Sequence, residues 1–426
     1  MRRFSSILLP IIASLGLLSS SGCTLISNVI GSEKRDVYKF DHRFTVADPA
    51  FRRSLDAFGT AMVAGNTAEL LKNGDEIFPA MTRAIREAQK TVNLETYIFQ
   101  PDEAGKQFAD ALIEAAGRGV EVRFLIDAFG SKLGDLQDRL VKAGVRWRKY
   151  RPLRLFSIYK VGRRTHRKIL VVDGKVAFTG GLGISRKWLG NARNPQEWRD
   201  TQVRVTGPAV DQMQAIFAED WTYTTGEILA GENFYPRRDG AGGQIHAQAI
   251  KVSRGDASSL AKMLYYVAIK AAAKSIYIQN AYFLPDRQVR DALVEAVQRG
   301  VEVKVMVPGR HIDIPMVRSA SWMHYRDLLK NGVKIYEYKP TMLHNKTMAV
   351  DGIFTTIGSI NFDARSMNRN AEESMAFYDR GFAEKMEAMF KEDLKRCEEI
   401  TYEQWDRRGL VKRLSELVFW IWEPYY

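Results

Sequence analysis

A chain of 426 residues is long enough for two domains, each burying its own core. Its formal net charge of +13 points to anionic partners. Its two cysteines, Cys23 and Cys397, exclude a disulfide-stapled scaffold.

Arg2 and Arg3 precede an uncharged apolar stretch from Phe4 to Leu18, broken at Pro10. Ser19, Ser20, Ser21 and Gly22 then lead to Cys23. This is the layout of a secretory signal peptide, and the stretch is too short for a comfortable membrane span. Gly22-Cys23 resembles a bacterial lipoprotein box, although Ser20 stands where Leu is usual. The resemblance implies a signal peptide over residues 1–22, acylation at Cys23, and a place in the bacterial cell envelope facing the periplasm. Thr24 after the cysteine, where Asp would signal retention, favours the outer membrane. A plain signal peptide or an uncleaved anchor is the alternative. Residues 23–46 read as a tether.

The folded pattern begins near residue 47. Asn73-Gly74-Asp75 opens a helix, and Thr91 to Phe99 is an apolar, strand-like run. Ala111 to Ala115 belongs to an amphipathic helix that stops at Gly119, with a strand from Val120. A further helix stops at Gly144, with a strand from Val145. Basic and aromatic residues then interleave: Arg146-Trp147-Arg148-Lys149-Tyr150-Arg151, Arg154, Phe156, Tyr159, Lys160, Arg163 and Arg164. This stretch suits an anionic interfacial lipid and also suits nucleic acid.

Next comes His166-x-Lys168-x-x-x-x-Asp173, and the same pattern recurs at His344, Lys346 and Asp351, 178 residues later at all three positions. Each triplet flanks an apolar strand and ends in an Asp-Gly hairpin turn. His and Lys two apart on a strand share a face. Each Asp belongs to the candidate catalytic set, but its place at a strand end predicts local anchoring or a lysine pairing, not proton chemistry. The helix and strand at Ala111–Val122 also recur at Ala292–Val303. Alternating strands and helices predict an α/β sandwich in each half. The halves span residues 47–236 and 245–405, with a linker at 237–244 and a catalytic cleft at their interface. The tail, residues 406–426, carries Lys412, Arg413, Trp420, Trp422, Tyr425 and Tyr426. It is an interfacial amphipathic helix or a helix packed on the domain.

The chemistry of the duplicated pattern is that of phosphate. Cleaving a phosphodiester without a metal needs a nucleophile, a proton donor for the leaving oxygen and fixed positive charge on the phosphoryl oxygens. Two histidines and two lysines supply these.

At these residues the chain resembles the phospholipase D superfamily, and within it the bacterial cardiolipin synthases, from about Leu71 to Glu403. The likeness includes Asn73-Gly74-Asp75, Glu95-Thr96-Tyr97-Ile98, Trp198-Arg199-Asp200 and Gly207-Pro208-Ala209-Val210. It continues with Asn280-Ala281-Tyr282-Phe283, Gly358-Ser359-Ile360-Asn361, Asp363, Arg365, Ser366, Asn370 and Glu372. The first copy departs from the pattern: Gly180-Gly181-Leu182-Gly183 has Gly183 where the family has Asn.

The resemblance implies two phospholipase D-like domains related by duplication, and a ping-pong transfer without cofactor or metal. His166 is the implied nucleophile and His344 the acid/base. Asp200 and Glu372 stand behind the histidines. Ser359 and Asn361 contact the phosphate, with Gly180 and Gly181 allowing close backbone approach. The implied substrate is a phospholipid, phosphatidylglycerol, met at a membrane surface, and the product cardiolipin. A hydrolytic phospholipase D is the alternative. An exported phosphodiesterase or nuclease comes after it, since the synthase-like blocks disfavour nucleic acid.

Overall fold

The repeat in sequence is a repeat in topology. The computed structural model describes residues 38–40, 43–152, 164–238, 242–253 and 260–409. The signal peptide, Cys23, most of the tether, residues 153–163 of the basic stretch and the tail beyond residue 409 lie outside the described residues.

The first half contributes β1 (Val63–Lys72), β2 (Thr91–Thr96), β3 (Glu121–Asp127), β4 (Arg146–Tyr150), β5 (Ile169–Val172), β6 (Val176–Gly180) and β7 (Thr201–Thr206). The second contributes β8 (Ile245–Val252), β9 (Ser275–Asn280), β10 (Glu302–Pro308), β11 (Lys334–Tyr338), β12 (Lys346–Val350), β13 (Phe354–Gly358), β14 (Glu372–Tyr378) and an added edge, β15 (Cys397–Ile400). Helical crossovers make β2, β3 and β4 parallel, and likewise β9, β10 and β11. The Asp-Gly hairpins make β5–β6 and β12–β13 antiparallel. Asp173 (φ 52°) and Gly174 (φ 60°) are both left-handed, as are Asp351 (φ 53°) and Gly352 (φ 63°), the conformation that suits a two-residue turn to strand twist.

The strand order is β15-β11-β10-β9-β12-β13-β14-β8-β1-β7-β6-β5-β2-β3-β4. It reads as two copies of one arrangement meeting at an antiparallel β1/β8 pair, so the described strands form a single sheet. The stretch expected as a linker is packed where it is described. Arg238 donates to Asp211 Oδ2 at 2.6 Å, and a Cβ on Gly243 would stand 2.1 Å from the Asn66 carbonyl oxygen. From Phe40 onward the described residues form one compact unit.

The halves also share a core. Ala177, Val203 and Val205 of the first half pack in one cluster with Ile357, Met375 and Phe377 of the second. Helices Ala209–Thr225 and Arg380–Leu394 close this cluster with Phe217, Trp221, Phe382 and Met386. Across the same join, Arg199 Nη2 pairs with Asp393 Oδ2 at 2.8 Å, with both side chains almost fully buried. A buried ion pair of this kind specifies geometry more than it adds stability. No helix among the described residues is long and apolar enough to cross a membrane.

Candidate active site

His166-Arg167-Lys168 forms the extended lead-in to β5, and His344-Asn345-Lys346 the lead-in to β12. Each of these segments is docked on the opposite half. His166 N–H donates to the Ala371 carbonyl at 2.8 Å, and His344 N–H to the Arg199 carbonyl at 2.7 Å. Alternation sends the middle residues elsewhere: Arg167 turns into the core to Asp220 (3.0 Å), and Asn345 to Thr201 and Gln279. His166, Lys168 and His344 line one cavity of about 930 Å³, together with Tyr97, Arg164, Trp188, Trp198, Tyr282 and Asn361.

The orienting acids are crossed between the halves. His166 Nδ1 lies 2.8 Å from Glu372 Oε2, and His344 Nδ1 lies 2.8 Å from Asp200 Oδ2. A carboxylate only accepts, so each Nδ1 carries a hydrogen and each Nε2 is left with its lone pair for chemistry in the cavity. Each lysine folds back on its histidine: Lys168 Nζ and Lys346 Nζ donate to the carbonyls of His166 and His344 at 2.6 Å. Lys346 Nζ also sits 3.1 Å from His344 Nε2.

The two copies are completed differently. In the second, Ser359 Oγ donates to Glu372 Oε2 at 2.5 Å. The matching residue in the first is Gly181, where a Cβ would stand 2.3 Å from Asp200 Oδ1. The missing donor is replaced by Trp188, whose Nε1–H reaches Asp200 Oδ2 at 2.8 Å. Its ring also fills the place of the family Asn, since a Cβ on Gly183 would meet Trp188 Cη2 and Cζ3 at 2.9 Å. Trp188 and Trp198 box the His344 ring, with centroids 5.3 Å and 5.5 Å away. His166 has Tyr97 edge-on at 5.0 Å and is the more open of the two, its side chain 12% exposed against 6% for His344.

Sequence reasoning missed Trp188. The signal for it was indirect: an acid deprived of the Ser that serves its counterpart needs another donor. The Arg164–Asp127 pair was also missed. Arg164 Nε reaches both oxygens of Asp127 at 3.1 and 3.0 Å, fixing a cation in the cavity wall.

Other expected residues take different places. Asp173 and Asp351 do not line the cavity and, among the described residues, pair with no lysine side chain. Asp173 accepts the N–H groups of Gln89, Lys90 and Thr91, and Asp351 those of Ala273, Lys274 and Ser275, all within 2.9 Å. They anchor the starts of β2 and β9, a structural duty that explains their place at strand ends. Ser359 serves Glu372, not the cavity. Gly180 and Gly181 allow close packing, because a Cβ on either would collide with residues 200–202. Asn361 does line the cavity, and its Oδ1 has no protein partner.

The electrostatics follow from burial. Burial, reinforced by Lys168 against the pull of Glu372, lowers His166 to about 4. Burial and Lys346 also lower His344, against Asp200. Burial, with Lys168 nearby, brings Lys346 down to about 7 although Asp200 opposes it, and burial lowers Lys168 as well. Burial works against ionised Glu372, but the hydrogen bond of His166, with Lys168 and the Ser359 hydroxyl, holds it below the usual range. Lys168 and two neutral imidazoles on the cavity wall, with Lys346 against the His344 ring, form a site that favours an anion. Among the described residues no group of His, Cys, Asp and Glu is arranged to hold a metal ion.

Known proteins resemble this chain over most of its length. The family model described as cardiolipin synthase, PLD-like domain, matches residues 81–221 and 265–394, one segment in each half. A probable cardiolipin synthase of Bacillus subtilis (strain 168) is 36% identical over 357 residues, spanning 82% of this chain and 70% of that protein. A cardiolipin synthase of Geobacillus kaustophilus (strain HTA426) is 37% identical over 366 residues, spanning 85% and 72%. The crystal structure of phosphatidylserine synthase from Haemophilus influenzae Rd KW20 aligns with a TM-score of 0.67 over 88% of this chain and 100% of that one. At 14% identity, that likeness is one of fold.

Two outcomes follow from the site. Trp188→Phe keeps the ring but removes the donor to Asp200, and lowers turnover roughly tenfold to a hundredfold, as loss of an outer hydrogen-bond partner does; steady-state kinetics beside circular dichroism measures this. Sulfate, whose charge is constant near neutrality, binds more weakly as pH rises through about 7 and Lys346 loses its proton. Lys346→Arg flattens that dependence in calorimetric titration.

Proposed function

The chain belongs to the cardiolipin synthase, phospholipase D-like family, and on that premise we propose that it is a phosphatidyltransferase making cardiolipin from phosphatidylglycerol. The observation that carries this reading is the crossed pair of acid-oriented histidines on one cavity, with Lys168 in its wall and Lys346 against His344.

Burial and the lysines keep both imidazoles neutral. An incoming phosphodiester anion offsets the lysine charge and lets one ring take up a proton. His166, the more open ring, attacks phosphorus through Nε2. The N–P bond forms as the bond to the glycerol oxygen breaks, and protonated His344 gives its proton to that oxygen. Glycerol leaves, and the phosphatidyl group remains on His166. The headgroup hydroxyl of a second phosphatidylglycerol then attacks phosphorus, neutral His344 takes its proton, and cardiolipin is released as the N–P bond breaks. Lys168, Lys346 and Asn361 hold the non-bridging oxygens, where charge grows in the transition state. Glu372 and Asp200 stabilise each imidazolium in turn.

The N-terminal sequence supports an exported, lipid-anchored enzyme, with residues 1–22 as signal peptide and Cys23 acylated. The anchor would hold the enzyme to the envelope membrane that carries its substrate.

Purified protein mixed with phosphatidylglycerol vesicles yields cardiolipin and glycerol by mass spectrometry. Phosphatidic acid without cardiolipin, or DNA nicking without lipid turnover, contradicts the reading. His166→Ala and His344→Ala each lower turnover by about ten thousandfold, the scale of losing one member of a catalytic set. A phosphoprotein accumulates in His344→Ala alone. Cells labelled with radioactive palmitate incorporate it into the wild type and not into Cys23→Ser; equal labelling removes the anchor proposal.

A further inference from the structure

The mouth of the cavity is built from matching loops of the two halves, one after β3 and one after β10. Both carry large apolar side chains into solvent. Phe129 is 61% exposed, Ile314 38% and Met316 42%, and all three line the cavity. Residues that border a cavity and face water stand at its opening. One exposed apolar residue is ordinary. Three around a single opening, drawn from both repeats, form a patch that marks an interaction surface.

Their exposure is fixed by the fold. The N–H groups of Phe129 and Gly130 donate to Asp127 Oδ1 at 2.7 and 3.3 Å, and Arg164 holds Asp127 in turn. Gly130 passes so close to Tyr97 that a Cβ would stand 2.4 Å from the Tyr97 carbonyl oxygen. On the other side, Tyr282 Oη donates to both oxygens of Asp313 at 2.8 and 2.9 Å, pinning the residue before Ile314. Pro315 then starts the helix Pro315–Lys330.

The charge at this mouth favours an anionic partner. Arg186 and Lys187 are exposed and line the cavity, and Lys132 and Arg310 are exposed on the two loops. The acids there are engaged locally. Asp102 accepts the N–H groups of Ala104, Gly105 and Arg186 and the Ser185 hydroxyl, Asp313 accepts Tyr282, and Asp363 accepts the Ser366 N–H.

We infer that this rim is a membrane-docking surface for an anionic bilayer. Phe129, Ile314 and Met316 enter the boundary between headgroups and acyl chains, and Arg186 and Lys187 meet lipid phosphates. The opening is thereby pressed on the bilayer, and a lipid headgroup reaches the cavity without its chains crossing water. A protein seated on the same patch would close the cavity to its substrate, which is why the occupant is a bilayer. The inference rests on the phospholipid reading above. It differs from the proposed anchor at Cys23, which tethers the protein without orienting the cavity.

The test compares two physical forms of one lipid, in full-length protein carrying Cys23→Ser so that no acyl chain contributes. The first is vesicles of phosphatidylglycerol and phosphatidylcholine. The second is short-chain phosphatidylglycerol kept below its micelle concentration. The triple variant Phe129→Ser, Ile314→Ser, Met316→Ser loses at least tenfold in vesicle turnover and in co-sedimentation with vesicles. It keeps turnover of the monomeric lipid within about twofold. Arg186→Glu with Lys187→Glu weakens co-sedimentation most at low salt. Ile228→Ser, 79% exposed but not lining the cavity, changes neither. Unchanged vesicle turnover and co-sedimentation in the triple variant overturns the inference, and so does an equal loss on both lipid forms. If the parent protein turns over neither form, the phospholipid reading itself fails, and co-sedimentation alone decides the rim.

Discussion

Each histidine takes its orientation from an acid of the other half. Glu372 lies 206 residues from His166, and Asp200 lies 144 from His344. Neither half can therefore assemble a working imidazole alone, and much of the architecture follows from holding four backbone segments in register. The backbone bonds of His166 to Ala371 and of His344 to Arg199 set the depth of each ring. The Arg199–Asp393 pair, the shared apolar cluster and the β1/β8 join resist any sliding of one half on the other. Such preorganisation matters because transition-state stabilisation depends on donors already in place.

The duplication fixes a symmetric requirement that the chain meets asymmetrically. Both acids need a second donor. Ser359 supplies it to Glu372, and Trp188 supplies it to Asp200. Glycine at positions 181 and 183 is the counterpart of that indole, since a side chain at either would strike Asp200 or Trp188. The result is one ring packed between two tryptophans and one more open beside Tyr97. Near-identical motifs thus acquire different surroundings.

Much of this was legible in the sequence because it is local. The His-x-Lys pairs, the Asp-Gly hairpins and the glycines ending helices are set by neighbours a few residues away, and their repetition removed chance. The long-range features were not legible. The positions of Asp200 and Glu372 were readable by resemblance, but no local pattern says which acid serves which ring. Asp173 and Asp351 shared a motif with catalytic residues while serving the starts of β2 and β9. β1, with the sequence Val-Ala-Gly-Asn-Thr-Ala-Glu-Leu-Leu-Lys, has little strand character and is held by β7 on one side and β8 on the other. The boundary expected near residues 237–244 became a joint within one sheet, because an unpaired β1 edge was available to β8.

The crossed orientation is tested most directly by the ring tautomers. Nitrogen-15 spectra of histidine-labelled protein report which ring nitrogen carries hydrogen. Both His166 and His344 should show a protonated Nδ1 and an unprotonated Nε2 at neutral pH. Glu372→Gln should disturb the His166 signals and leave those of His344 in place, and Asp200→Asn should do the reverse. If Glu372→Gln shifts His344 instead, or if neither substitution changes either ring, the acids do not orient the histidines across the two halves.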